Sequence, residues 1–98
     1  MRISLNKFGT TLVSRQAGKE SYAAFLPTLN EVPAKENIEV DFSVVVTFSP
    51  SWGDEFLTPL VEKFKERLFY HNAKVNPSVM LTLELLEQIK QTKFNVLS

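Results

Sequence analysis

The sequence predicts an α/β domain with a mixed, mainly parallel sheet of four to five strands, helices packed on one side, and the element order β-β-α-β-α-β-α. Three observations carry this. Short alternating or β-branched runs at 3–5, 11–13, 38–48 and 68–70 are separated by segments whose apolar residues recur at helical spacing. The helical segments open on capping residues: Ser14 for the first, Ser49 or Ser51 for the second, Asn76 for the third. The connections between them are short, and alternating strands and helices joined in this way give right-handed crossovers and parallel pairing.

Composition sets the outer bounds. A chain of 98 residues forms one domain, spanning 1–98, with room for one core. The 44% hydrophobic content, with eight phenylalanines, is that of a folded chain and not of a disordered one. Eleven basic and eleven acidic side chains cancel, so no overall field draws the protein to nucleic acid or to an anionic membrane. A partner is then recognised by shape and local contacts. The absence of cysteine removes disulfides, thiolate nucleophiles and cysteine zinc sites, and fits a reducing compartment. The first seven residues are too short and polar for a signal peptide, and no apolar run approaches the ~20 residues of a membrane helix. A cytoplasmic location is expected.

Taken in order, Ile3 and Leu5 alternate with polar neighbours, and Thr11, Leu12 and Val13 form a second run beyond Gly9, which predicts an opening hairpin and an antiparallel strand. Ser14 then caps a helix lined by Ala17, Tyr22, Phe25, Leu26 and Leu29, weakened by Gly18 and kinked or shortened by Pro27. Residues 30–37 are polar, contain Pro33 and form a surface loop. Ile38 to Phe42 alternates at period two, and Val44 to Phe48 follows as a continuous apolar run, the pattern of a covered central strand. After the turn at Ser49, Pro50 and Ser51, residues Phe56, Leu57, Leu60, Val61, Phe64 and Leu68 mark a second helix. Leu68 to Tyr70 reads as a strand. Asn76 and Pro77 cap and start a third helix with Val79, Leu83, Leu86 and Ile89 on its core face. The tail at 93–98 is too apolar to be a solvated end and is read as loose, packed back on the domain, or docking against another chain.

Few residues are placed to carry chemistry. His71 stands alone, and one histidine without cysteine makes no transition-metal site. Gly9, Gly18 and Gly53 are scattered, so no phosphate-cradling glycine loop can be written. Lys63, Lys65 and Arg67 alternate with acids as on a solvated helix face, not as a phosphate-tracking stripe. Asp41, Asp54 and Glu55 are the acidic candidates. Asp54, three residues after Ser51, has the spacing of a capping box. No nucleophile with a base can be assembled; a non-enzymatic protein without cofactor or metal is expected. What remains is the start of the second helix. Ser49 with Pro50 has the form of a cap and first helical residue, while Ser51 with Asp54 offers a competing cap. A serine there is also placed for phosphorylation, since backbone N–H groups and the helix dipole stabilise a phosphate.

The path Val40-Asp41-Phe42, then Val44 through Phe48, then Ser49-Pro50-Ser51-Trp52-Gly53-Asp54-Glu55-Phe56-Leu57 resembles the signature of the STAS-like domains of small, mostly uncharacterised bacterial proteins. Flanking pieces at Phe8-Gly9, Ser14-Arg15 and 76–79 also fall where that family carries similar residues. More distantly the chain is similar to the STAS domains of anti-sigma factor antagonists and anion transporters. The antagonist likeness implies a bacterial regulatory domain that docks a histidine-kinase-type ATPase or anti-sigma factor through Ser49, Ser51, Trp52, Asp54 and Glu55. In those antagonists a serine within an Asp-Ser-Ser-Gly motif is phosphorylated to switch binding off. Laid on this chain without gaps, that motif falls on Ser49, Pro50, Ser51 and Trp52, so the phosphoacceptor is replaced by Pro50. Either Ser49 or Ser51 takes its place, or only the docking surface is kept, which Pro50 and the bulky Trp52 favour. A homo-oligomer is compatible with this reading. The competing expectation is a small-molecule or anion receptor, sensing a nucleotide for example, that uses the same helix amino terminus as its cradle.

Overall fold

The computed structural model describes all 98 residues. In chain order the elements are β1 (Arg2–Ser4), a 3-10 turn (Leu5–Phe8), β2 (Thr11–Leu12), α1 (Arg15–Leu29), β3 (Ile38–Asp41), β4 (Thr47–Phe48), α2 (Pro50–Phe64), a second 3-10 turn (Lys65–Arg67), β5 (Leu68–His71), α3 (Pro77–Lys90) and β6 (Asn95–Val96). The main sheet runs β1-β3-β5-β6, and β2 and β4 form a second, two-stranded sheet. Every pair is parallel, and the row Ile3, Val40, Tyr70, Val96 crosses the main sheet in register.

This register puts Ile3, Ile38, Val40, Leu68 and Tyr70 on one buried face, while Arg2, Ser4, Glu39, Asp41, Phe69 and His71 occupy the other. The buried face shares one apolar core with Phe25 and Leu29 of α1, Phe56, Leu57, Leu60 and Phe64 of α2, and Val79, Leu83 and Leu86 of α3. The result is a two-layer α/β domain with α2 between α1 and α3, each helix crossing between neighbouring parallel strands. On the open face Arg2 lies 3.9 Å from Glu39 and 3.2 Å from Asp41, and Nε2 of His71 lies 2.6 Å from Glu39. His71 Nε2 makes no hydrogen bond.

The α/β class and the mainly parallel sheet agree with the sequence, but the opening hairpin does not form. Gly9 turns the chain at φ 128°, yet β2 continues in the direction of β1 and pairs in parallel with β4, Leu12 opposite Phe48. Three inward residues, Ile3, Leu5 and Leu12, are each at most 1% exposed, so both segments are held by the distant β3–β4 stretch and not by each other.

The expected continuous strand to Phe48 is also broken. Asp41 ends β3: its Oδ1 accepts from Ser43 N (2.9 Å) and Ser43 Oγ (2.8 Å), a local turn that outcompetes the ladder. Val45 N then donates to Phe42 O, and Val44 is forced to φ 70°, an uncommon backbone for a β-branched residue. Asn72, at φ 60° beyond β5, donates to the same Oδ1 at 2.8 Å and to Ser43 Oγ at 2.8 Å, locking the carboxyl ends of β3 and β5 together. Asp41 thus accepts four hydrogen bonds, three at Oδ1 and one from Arg2 at Oδ2, which makes it a structural acid.

Burial opposes ionisation of Asp41, but the bonds from Asn72, Ser43 and Arg2 outweigh it and hold the carboxyl well below its ordinary range. A depressed folded pKa contributes stability that is complete above the unfolded value near 3.9 and is withdrawn as pH falls towards the folded value. Thermal melts from about pH 5 down to pH 2 should therefore show a steep loss in the wild type and a shallower one in Asp41→Asn, which starts less stable at neutral pH.

Helix ends follow the sequence closely. Ser14 Oγ accepts from Ala17 N at 3.0 Å, and Asn76 Oδ1 accepts from Ser78 N (2.9 Å) and Val79 N (3.3 Å) with Pro77 first in α3. Pro27 falls in the last turn of α1 and does not end it. Ile89 is not a core residue: it is exposed, and Thr82 takes an inward place by donating to Phe48 O at 2.6 Å. The segment 93–98 lies along β5, with Leu97 N donating to Tyr70 O and Ser98 O accepting from Ala73 N and Lys74 N. No helix is long and apolar enough to cross a membrane.

Candidate functional site

The start of α2 lies where β4 leaves the sheet, and its cap is Ser49. Ser49 Oγ accepts from Trp52 N at 3.3 Å and donates to Val13 O at 2.6 Å, while Ser49 N donates to Leu12 O at 2.9 Å. One residue thereby caps α2 and ties it to β2. Pro50 takes the first helical position, where its missing N–H costs nothing. Of the two competing caps the chain uses Ser49–Pro50. Ser51, in the first turn and half-buried, makes no side-chain hydrogen bond within the protein. Ser49→Ala should then cost about 1–2 kcal/mol in chemical denaturation and Ser51→Ala only a few tenths, about 0.3 kcal/mol.

Asp54 does not close a capping box. It faces away from the helix start: Arg15 of α1 donates to Oδ2 at 3.0 Å, Thr58 donates to Oδ1 at 2.8 Å, and Lys90 of α3 lies 3.5 Å away. Glu55 accepts from the same Arg15 nitrogen at 3.1 Å. Burial works against ionisation of Asp54, but Thr58, Arg15 and Lys90 prevail and lower its pKa. The hydrogen bond that Arg15 donates to Asp54 is the largest cause of a raised Arg15 pKa. These acids join three helices electrostatically.

Trp52 is 1% exposed, so it cannot touch a partner. Its ring stacks on Phe56 at 4.9 Å and 18°, and packs against Phe48 (5.8 Å) and Phe8 (6.1 Å). Trp52, expected among the docking residues, instead belongs to a core aromatic cluster, because the inward turn of α2 that follows the Ser49 cap points this side chain at the sheet. Gly53 beside it is buried for the same reason; a Cβ there would lie 3.2 Å from both the Phe48 ring and Leu86.

What the surface does present is apolar and lies one helix away. Leu81, Leu85 and Ile89 are 68%, 40% and 59% exposed, at i, i+4 and i+8 on α3. Leu81 and Leu85, with Pro50, Thr47 and Ser49, line an open groove of about 530 Å³ between the start of α2 and α3. Sequence reading passed over Leu81 and Leu85, although α3 carries two apolar stripes and only Val79, Leu83 and Leu86 are needed for the core. Of the sequence candidates, Ser49 and Ser51 border this groove or its helix end, Asp54 and Glu55 stand on the Arg15 side, and Trp52 lies beneath. No group of three histidine or acidic side chains is arranged to hold a metal ion.

Comparison with family models, with curated proteins and with solved structures gives no match.

Proposed function

We propose that this chain is a non-enzymatic, STAS-like regulatory domain, cytoplasmic and bacterial, that docks a protein partner through the groove between the start of α2 and the outer stripe of α3. The observation that carries the reading is the uncovered row Leu81, Leu85 and Ile89 beside Pro50, which are the exposed large hydrophobic side chains on the helices. The groove is shallow and lacks converging donors, which favours a protein surface over a small ligand at this place. The partner implied by the resemblance is a kinase-like ATPase of the anti-sigma type. Ser51 is the better phosphoacceptor, since Ser49 would have to give up both its cap and its bond to Val13.

The experiment is a tagged pull-down with and without ATP, run in parallel with Leu81→Lys, followed by phosphosite mapping of the recovered chain. A kinase-like ATPase retained by the wild type and lost by a folded Leu81→Lys supports the docking reading; phosphate on Ser51 adds the switch. Retention by both proteins, or no such ATPase, overturns it.

A further inference from the structure

The segment after α3 is lightly anchored. Gln91 leaves the helix at φ 52°, residues 91–93 are exposed, and β6 pairs with β5 over two residues only. Phe94 N donates to Glu87 Oε2 at 2.7 Å and Leu97 N to Tyr70 O at 2.8 Å, while Ser98 accepts from Asn72 N, Ala73 N and Lys74 N. The aromatic anchor of the segment is Phe94, half-buried and edge-on to Tyr70 at 5.3 Å. It lines two open cavities, of about 390 Å³ and 600 Å³, so part of its ring has no packing partner.

Beneath it Tyr70 is 1% exposed, and its hydroxyl is buried without a hydrogen-bond partner, a costly state that is rare in folded proteins. Burial first, and then the charge of Glu87, raise the Tyr70 pKa, so the hydroxyl keeps its proton. Glu87 thus stands near two donors, the Phe94 amide and the Tyr70 hydroxyl, and serves only the first.

We propose that residues 91–98 form a releasable strap latched by Glu87, which opens by passing the Glu87 carboxylate from Phe94 N to the Tyr70 hydroxyl. The closed form keeps β6 on the sheet and leaves the hydroxyl unpaired. The open form pairs the hydroxyl and bares the outer edge of β5, with Tyr70 O and the N–H groups of Asn72, Ala73 and Lys74. An edge of that kind accepts an extended chain. The strap shares no residue with the docking groove, so neither reading depends on the other.

Hydrogen exchange of the full chain, followed by NMR and corrected for intrinsic rates, tests the latch. The amides of Phe94, Leu97, Asn72, Ala73 and Lys74 should exchange together through one local opening. They should be at least about a hundredfold faster than Phe42, whose N–H donates to His71 O on the other edge of β5. Tyr70→Phe should slow them about tenfold relative to Phe42, because the open form loses its bond and the closed form loses its unpaired hydroxyl. In a Glu87→Ala background the same change should slow them about threefold at most, since the acceptor is gone. Strap amides no faster than Phe42, a Tyr70→Phe protein whose strap exchanges as fast as the wild type or faster, or an equal effect in both backgrounds would overturn the proposal.

Discussion

Trp52→Ala should lower stability by about 4 kcal/mol, the upper range for truncating a buried aromatic. The indole is 1% exposed and packs among Phe8, Phe48 and Phe56, so its removal leaves a cavity walled by rings that cannot close on one another. For a domain whose total stability is about 5–15 kcal/mol this is a large share, and a fall of about 20 °C in Tm follows. Far-UV circular dichroism is the right probe, because Trp52 is the only tryptophan and its fluorescence goes with it. Trp52→Phe keeps the stack on Phe56 and should cost about half as much. A Trp52→Ala protein that melts like the wild type would contradict the core assignment. A loss of partner binding in that variant says nothing about docking, since the whole start of α2 moves with it.

Gly18→Val should cost about 3 kcal/mol for a different reason. Glycine is a poor helix former, and on propensity alone replacing it should stabilise α1 by a few tenths to 1 kcal/mol. The crossing of α1 on α2 reverses the sign. A Cβ at position 18 would lie 2.7 Å from the Trp52 carbonyl oxygen and 3.1 Å from its Cα. Those are backbone atoms, so no rotamer relieves the contact and the two helices must separate. Gly18→Ala, with a single methyl, should lose about 1–2 kcal/mol net of its better propensity. Because those backbone atoms remain in Trp52→Ala, the contact persists there and the two costs should add, which a double-mutant cycle in urea measures. A stabilised Gly18→Ala would show that the helices are farther apart than described.

The same two residues mark where sequence was informative and where it was not. Local signals were legible: Ser14 and Asn76–Pro77 are caps because their side chains reach N–H groups two or three residues on, and Ile38 to Asp41 is a strand because its period two matches one buried face. Long-range pairing left no local mark. Gly9 looks the same in a hairpin and in the turn observed here, and only the burial of Leu12 against the β4 stretch decides between them. Gly18 read as a weak point in a helix when it is the contact that lets α1 approach α2. The run Val44 to Phe48 read as strand because β-branched residues favour strands, but Asp41 and Asn72 capture Ser43 and bend it outward, leaving Val44 and Val46 exposed. At the site, the Ser49–Pro50 cap was among the alternatives, whereas Asp54 was misread because its partner Arg15 lies 39 residues away in the chain. The outer stripe of α3 was missed because Ile89 was placed on the core face with Val79, Leu83 and Leu86, which left Leu81 and Leu85 without a third member at i, i+4, i+8 spacing.

The docking face is the central claim, and a single affinity comparison tests it most directly. The ATPase that the proposal expects the wild type to retain is titrated against three folded proteins: wild type, Leu81→Lys on the outer stripe of α3, and Ala24→Lys on the exposed side of α1. A charge placed in the apolar centre of an interface should weaken binding at least about thirtyfold, and the same charge on α1 should leave it unchanged. Equal affinity for wild type and Leu81→Lys, or a loss confined to Ala24→Lys, would place the contact elsewhere and contradict the account.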